Sequence, residues 1–326
     1  MDGTAGADLQ QAVPAGTARL CILMNPGSGR EGGDGAAETI GAWLAGRGGS
    51  AELRLIPPGT SPAEAARAAA RDGFATIVAA GGDGTVGGVA AGLAGTGLRM
   101  GVLPLGTFNF FARANGIPEA LPEALALLET GRAEPRDAAF VNGRLFLNNA
   151  SIGIYPRILL DRERVYRRWG RSRIAAYWSV VRTVAGFRRS RRLKVTVDGR
   201  ARRVKTPLVF VAFNAYQLEH FGLDGADRIR RGEFAVLVAP DCGRFGLLRF
   251  ALLLLVRGMR RGKDFELLCG REVVIDAADG RHTDRLVARD GEKEWIEPPL
   301  TLTIGAGALN VIVPQQGEAA RREPRP

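Results

Sequence analysis

An apolar run, residues 74–80, leads directly into Gly81-Gly82-Asp83-Gly84-Thr85, and residues 86–93 behind it are mostly small and apolar. A run of that length, closed by glycines, reads as a buried parallel strand. The stretch after it suits the start of a helix. Strand, glycine turn and helix together build an anion site. Backbone N–H groups with no side chain in front of them can point at a ligand, and the helix dipole adds to the pull. Asp83 is the unusual member. A carboxylate beside phosphates is repelled unless Mg²⁺ or a water network intervenes, so Asp83 points to a metal–nucleotide site. No Gly-Lys-Ser/Thr follows, so this is not a Walker loop. The bland alternative is an ordinary glycine turn in an α/β domain.

Two more segments repeat the arrangement. Residues 19–24 read as a first strand running into Asn25-Pro26-Gly27-Ser28-Gly29, with a helix pattern from about Asp34. Residues 98–103 read as another strand, running into Pro104-Leu105-Gly106-Thr107-Phe108-Asn109. Parallel strands present their carboxyl ends at one edge of a sheet, where ligands bind, so three such loops converge.

These residues resemble a known family. Asn-Pro-Gly-Ser-Gly, Gly-Gly-Asp-Gly-Thr and Pro-Leu-Gly-Thr-x-Asn-x-x-Ala, in that order, look like the catalytic domain of diacylglycerol and sphingosine kinases, bacterial lipid kinases included. Residues 148–155 look like the segment that opens the family's second domain, and Asp290-Gly291-Glu292 like its late Asp-Gly-Glu motif. The resemblance spans roughly residues 19–313 and implies ATP with Mg²⁺, bound in a cleft between two domains. Carried over residue by residue, the nucleotide contacts are Asn25, Gly29, Gly81, Gly82, Asp83, Gly84, Thr85, Pro104, Gly106, Thr107 and Asn109. Thr60, after Pro57-Pro58-Gly59, joins them as a further contact, and Asp83 faces the metal through the nucleotide. Asp290 is implied to be the general base and Glu292 its assistant. Read without the family, Asp290-Gly291 is equally a hairpin turn. Two departures stand out: Phe110 follows Asn109 where many members carry Asp, and residues 227–233 are basic where bacterial members hold a structural Mg²⁺.

The rest of the chain sets the frame. Its 326 residues suffice for two cores. Residues 19–139 alternate short apolar runs with helical patterns, as a doubly wound (Rossmann-like) parallel sheet does. From residue 140 the texture changes. Asn142-Gly143 and Asp198-Gly199 lie between apolar runs and signal hairpins, so residues 140–313 read as a mainly antiparallel, β-sandwich-like lipid-substrate domain. Further strands are expected at 300–304 and 310–313. Residues 1–18 and 314–326 read as disordered tails. Three scattered cysteines argue for reduced thiols in the cytoplasm and against a thiolate metal site.

The net charge of +11 asks for an anionic partner. Twelve arginines and two acids lie between Arg157 and Arg192, interleaved with Trp and Tyr, which suits a basic helical insertion at a membrane interface or a solvated face. No nucleic-acid motif accompanies the charge, so no nucleic-acid partner is expected. The apolar run 250–256 falls far short of a membrane span and is expected as a buried helix or strand. The expectation is therefore a cytoplasmic, peripherally membrane-associated lipid kinase, with a homodimer allowed. The alternatives are an NAD kinase, or a non-catalytic nucleotide-binding protein that docks on membranes. A dehydrogenase is disfavoured by the lack of a Gly-x-Gly-x-x-Gly opening.

Overall fold

In the computed structural model the residues described are 19–26, 34–47, 49–169, 182–187, 190–278 and 284–315. Gly29, residues 170–181 and 188–189 of the basic segment, and most of both tails lie outside them.

Four parallel strands, β1 (Leu20–Met24), β2 (Ala51–Leu55), β3 (Thr76–Gly81) and β4 (Arg99–Pro104), form one end of a ten-stranded sheet in the order β2-β1-β3-β4. Every residue of β1 and β3 is buried, which is why their sequences are apolar without alternation. Helices α1 (Asp34–Ala45), α2 (Pro62–Arg71), α3 (Asp83–Leu93), α4 (Phe110–Ala114) and α5 (Leu121–Thr130) belong to the same half of the chain. Helix α2 starts at a capping box: Ser61 accepts from the Glu64 amide, and Glu64 reaches back to the Ser61 amide, with Pro62 in the first turn. Glycines in α3 let α2 pack close. A Cβ on Gly92 would stand 2.7 Å from the Ala63 carbonyl oxygen.

Strands β5 (Arg132–Val141) and β6 (Arg144–Phe146) form the hairpin expected about Asn142-Gly143, and both turn residues adopt positive φ. After β7 (Asn149–Gly153) comes α6 (Ile154–Trp169), the described start of the basic segment. Strands β8 (Arg191–Val197) and β9 (Arg200–Thr206) make the second expected hairpin. The chain continues through β10 (Leu208–Ala212), α7 (Ala215–His220), α8 (Ala226–Arg230), β11 (Phe234–Val238) and α9 (Arg244–Leu255). It ends with β12 (Glu266–Gly270), β13 (Val273–Ala277), β14 (Arg285–Arg289), β15 (Glu292–Ile296) and β16 (Leu300–Val313).

The antiparallel half is a sandwich. One layer is a six-stranded sheet in the order β12-β11-β10-β7-β14-β15; the other is the far end of the large sheet, β16-β13-β8-β9. Their inner faces share a core that includes Val195, Val273 and Leu302 from one sheet and Ile152, Val211 and Val236 from the other. The two strands expected at 300–304 and 310–313 are one strand, β16, with a register shift between Gly305 and Leu309. Glycine explains the difference. The Phe140 ring lies where a Cβ of Gly305 would be, at 2.7 Å, and Gly307 has φ +57, so the strand bends rather than ends. The run 250–256 is not simply buried. It lies mostly in α9, with Leu252 and Val256 exposed.

Candidate active site

The carboxyl end of β3 and the start of α3 meet at Gly82, an N-cap that offers the first helical turn no side-chain acceptor. The amides of that turn and the positive end of the helix dipole are arranged as an anion site. The loops around it are pinned to each other. Leu105 donates to the Gly81 carbonyl at 3.0 Å, and Asn25 donates from its backbone to Ala80 at 3.2 Å. A Cβ on Gly106 would fall 2.6 Å from the Gly82 Cα, so glycine is needed for the two loops to touch. Asn109, at φ +51, accepts from the Gly106 amide through Oδ1 at 2.9 Å and donates to the Gly106 carbonyl at 3.1 Å. Its role is to hold the loop.

Two cavities flank Asp290. A polar cleft of about 600 Å³ lies over α3, lined by Gly82, Gly84, Thr85 and Gly87 together with Asn25, Asp290, Glu292 and Lys293. Glu292 reaches toward Gly84, since a Cβ there would stand 3.9 Å from its Oε1. The second cavity, about 410 Å³, is mainly apolar. Its walls include Leu159 of α6, Phe210 of β10, Leu237 of β11, Phe250 and Leu254 of α9, and Phe108 and Phe110. Its polar lining includes Asp83, Asn148, Asn149, Tyr155, Gln217 and Asp290. Asp290 therefore lines both spaces.

Asp290 and Gly291 form the hairpin turn between β14 and β15, at φ +48 and +87. Asp290 is thus a turn residue, but its carboxylate does more than close the turn. Oδ1 accepts from the amides of Asn148 and Asn149 at 2.8 and 3.1 Å, and Oδ2 from Leu147 at 2.6 Å. Oδ2 also faces α3, 3.4 Å from where a Cβ of Gly87 would be. Burial pushes the Asp290 carboxyl up to about 6, against the pull of those amides and of Arg289.

The Asp83 carboxyl is likewise raised by burial and held back by backbone amides; its Oδ1 accepts from Phe111 at 3.2 Å. Asn148 connects the two acids, with its amide N–H on Asp290 and its side chain on Asp83. Asn148 Oδ1 accepts from Asn214, which also donates to the Phe110 carbonyl and so ties α4 to the second sheet. Asn149 donates to Gln217 at 2.9 Å, while its own Oδ1 is buried with no partner.

The sequence candidates sort as follows. Asn25, Gly82, Gly84, Thr85, Asp290 and Glu292 share the polar cleft, and Asn25 Nδ2 lies 3.4 Å from the Thr85 hydroxyl. Gly81 and Pro104 end their strands behind it. Gly106 and Asn109 shape the adjoining loop, and Thr107 is exposed on it. Asp83 lines the apolar cavity rather than the cleft, and its carboxylate serves the start of α4. Thr60 lines a separate depression with Arg54, Glu64 and Arg71. Gly29 lies outside the described residues. Among the described residues no cluster of three or more His, Cys, Asp or Glu is positioned to hold a metal. Phe110, the departure from the family pattern, stacks on Phe108 with ring centroids 5.2 Å apart and builds the wall of the apolar cavity. Sequence reasoning did not assign site roles to Asn148, Asn149, Asn214 and Gln217. The Asn148-Asn149 pair was visible, but only its pairing with Asp290 gives it meaning.

The family model of the diacylglycerol kinase catalytic domain matches residues 19–141. A protein of Pseudomonas aeruginosa called "Probable lipid kinase YegS-like" is 53% identical over 88 residues, 26% of this chain and 29% of that protein. One of the same name from Cronobacter sakazakii is 45% identical over 98 residues, 28% of this chain and 33% of its own length. The aligned stretches thus span about a third or less of these relatives. A crystal structure of a diacylglycerol kinase from Bacillus anthracis superposes with a TM-score of 0.64 at 19% identity, covering 91% of this chain and 97% of that one. A second structure from the same organism, of a protein called "putative diacylglycerol kinase", gives 0.67 at 21% identity, covering 91% of this chain and 98% of that one. The fold expected from the motifs is the fold observed, and the resemblance to the diacylglycerol and lipid kinase catalytic-domain family holds.

Proposed function

We propose that this protein is an ATP-dependent lipid kinase that transfers the γ-phosphoryl group to a hydroxyl of a membrane lipid. The observation that carries the reading is the position of Asp290, between a glycine-lined polar cleft and a large apolar cavity. The cleft suits a nucleotide. Its floor is a helix N-terminus, and its glycines leave room for phosphates. The apolar cavity suits an acyl or other hydrocarbon chain, with the polar head directed at Asp290. The same cavity favours a lipid over a dinucleotide acceptor, and so disfavours NAD kinase.

In this reading the acceptor hydroxyl oxygen attacks the γ-phosphorus and the bond to the bridging β–γ oxygen breaks. ADP leaves with the electron pair, and the hydroxyl proton passes to Asp290 Oδ2. The three backbone amides fix the carboxylate, while burial keeps it basic enough to take a proton. The Asn25 side chain and the Thr85 hydroxyl border the phosphate end of the cleft. Mg²⁺ carried by the nucleotide would neutralise phosphate charge, and Glu292 is the carboxylate in the cleft placed to meet it. Asp83 would then support the site through α4 rather than bind the metal. Incubation with γ-labelled ATP, Mg²⁺ and a total lipid extract tests the proposal. A labelled lipid is expected, and its absence across lipid classes would refute it.

A further inference from the structure

Helix α9 is apolar on two opposite faces. Leu247, Phe250 and Leu254 recur at helical spacing on its inner side: Leu247 is buried, and Phe250 and Leu254 line the apolar cavity. On the other side Phe245, Leu248, Leu252 and Val256 form a second stripe at the same spacing, exposed by 88%, 43%, 60% and 62%. Leaving four large apolar side chains in water along one helix is unfavourable, and such a stripe marks an interaction surface. The charge around it names the partner. From Arg244 to Lys263 the chain carries six cations and no acid, and one of the six, Arg249, is ion-paired with the buried Asp264 that follows. Arg257, Arg260, Arg261 and Lys263 follow the helix and are exposed.

We propose that the outer face of α9 docks on an anionic phospholipid bilayer, and that the acceptor lipid passes from the bilayer into the cavity alongside this helix. The proposal rests on the lipid-kinase reading for the identity of the cargo, but the docking itself does not. A helix of this kind lies in the plane of the interface with its apolar stripe about 5–10 Å deep, while basic residues meet the headgroups. Twelve residues make α9 about 18 Å long, enough to sit among several lipids. The inner stripe then stands directly behind the outer one, so one element touches both the bilayer and the bound chain.

The test uses the full chain with Phe245→Glu and Leu252→Glu, singly and together. Both side chains point away from the cavity, so folding should persist, and thermal unfolding checks it. Cosedimentation is measured with phosphatidylcholine vesicles, with and without phosphatidylglycerol. Wild type should bind the anionic vesicles and lose binding as salt rises. Each substitution should weaken binding about tenfold or more, the effect of withdrawing one large apolar side chain from the interface. Turnover on a short-chain acceptor, dissolved below its micelle point, should be unchanged. Wild-type vesicle binding in the double variant would overturn the proposal. So would a wild-type dimer that the substitutions dissociate without any change in vesicle binding, because a second copy would then cover the stripe. Loss of vesicle binding together with no phosphorylation of any lipid by wild type would leave the docking standing and refute the kinase reading.

Discussion

Substitution of Asp290 by Asn changes one oxygen into NH₂ at a carboxylate that accepts three backbone N–H groups. The backbone tolerates the change, since Asn adopts φ near the observed +48 readily. The hydrogen bonding does not. In either amide orientation a donor faces a donor, at Leu147 or at Asn148 and Asn149, at a cost of about 1–3 kcal/mol. A plain turn would accept Asn freely, so thermal unfolding shows whether the three amide bonds matter to the fold, and turnover is needed to test the base. For turnover, loss of the base lowers the rate by about 10²–10⁴-fold, while nucleotide affinity, set largely by the α3 side of the cleft, is retained. The pH profile gives the sharper magnitude. Burial raises this acid, so the base form appears only as pH climbs through about 6. Turnover at pH 5 should therefore be about a tenth of its plateau. The stability linkage has the opposite sense. With the folded-state value above the usual 3.8, the native protein holds this proton more tightly. The group's contribution is therefore full below about 4 and is lost as pH rises through about 6. Removing the cation next to it by Arg289→Gln should move the rate limb to higher pH, which a purely structural role would not do. The assay is initial-rate transfer of labelled phosphate to lipid between about pH 5 and pH 8, with nucleotide affinity measured on the same preparations. A flat limb through pH 6, or full turnover in Asp290→Asn, would refute the reasoning.

Three further outcomes are expected. Gly106→Ala should weaken nucleotide binding measured by calorimetry, because its Cβ would meet Gly82 Cα at 2.6 Å and Asn109 Oδ1 at 2.8 Å and so part the two loops. Ala239→Phe should raise KM for long-chain acceptors and leave nucleotide affinity alone, since Ala239 is a buried wall residue of the apolar cavity. Gly92→Ala should lower the thermal midpoint by an amount equivalent to about 1–3 kcal/mol, because its Cβ would strike the Ala63 carbonyl and Ala66 across the α2–α3 contact.

The parts of this site that are local in sequence were legible. Gly81 to Thr85 spell a strand end, a turn and a helix start in consecutive residues, and Asn142-Gly143 and Asp198-Gly199 spell hairpin turns; all three appear as expected. What the sequence could not place depends on distant partners. Asp83 reads as a phosphate-side carboxylate until the amide of Phe111 is seen to occupy it. Thr60 sits in a loop of the right kind but faces another depression. Leu252 to Leu255 are apolar without a period, so nothing in the sequence separates the buried side of α9 from the exposed one. The apolar cavity draws its walls from α6, α9, β10, β11 and the loop before α4, and no sequence window contains it.

Strand β16 has a consequence for synthesis. Its distal residues pair with Arg99 and Met100 of β4, and along most of its length it pairs with β5. Leu309, Val311, Ile312 and Val313 are buried in the same core as Ile22 and Ile77. The half of the chain that emerges first from a ribosome is therefore finished by a strand made more than 150 residues after β5. Until then β5 lacks its long neighbour and the nucleotide-side core stays open on one flank. A domain that would otherwise fold as soon as it is made must here wait for β16, leaving its strand edge for chaperones to shield.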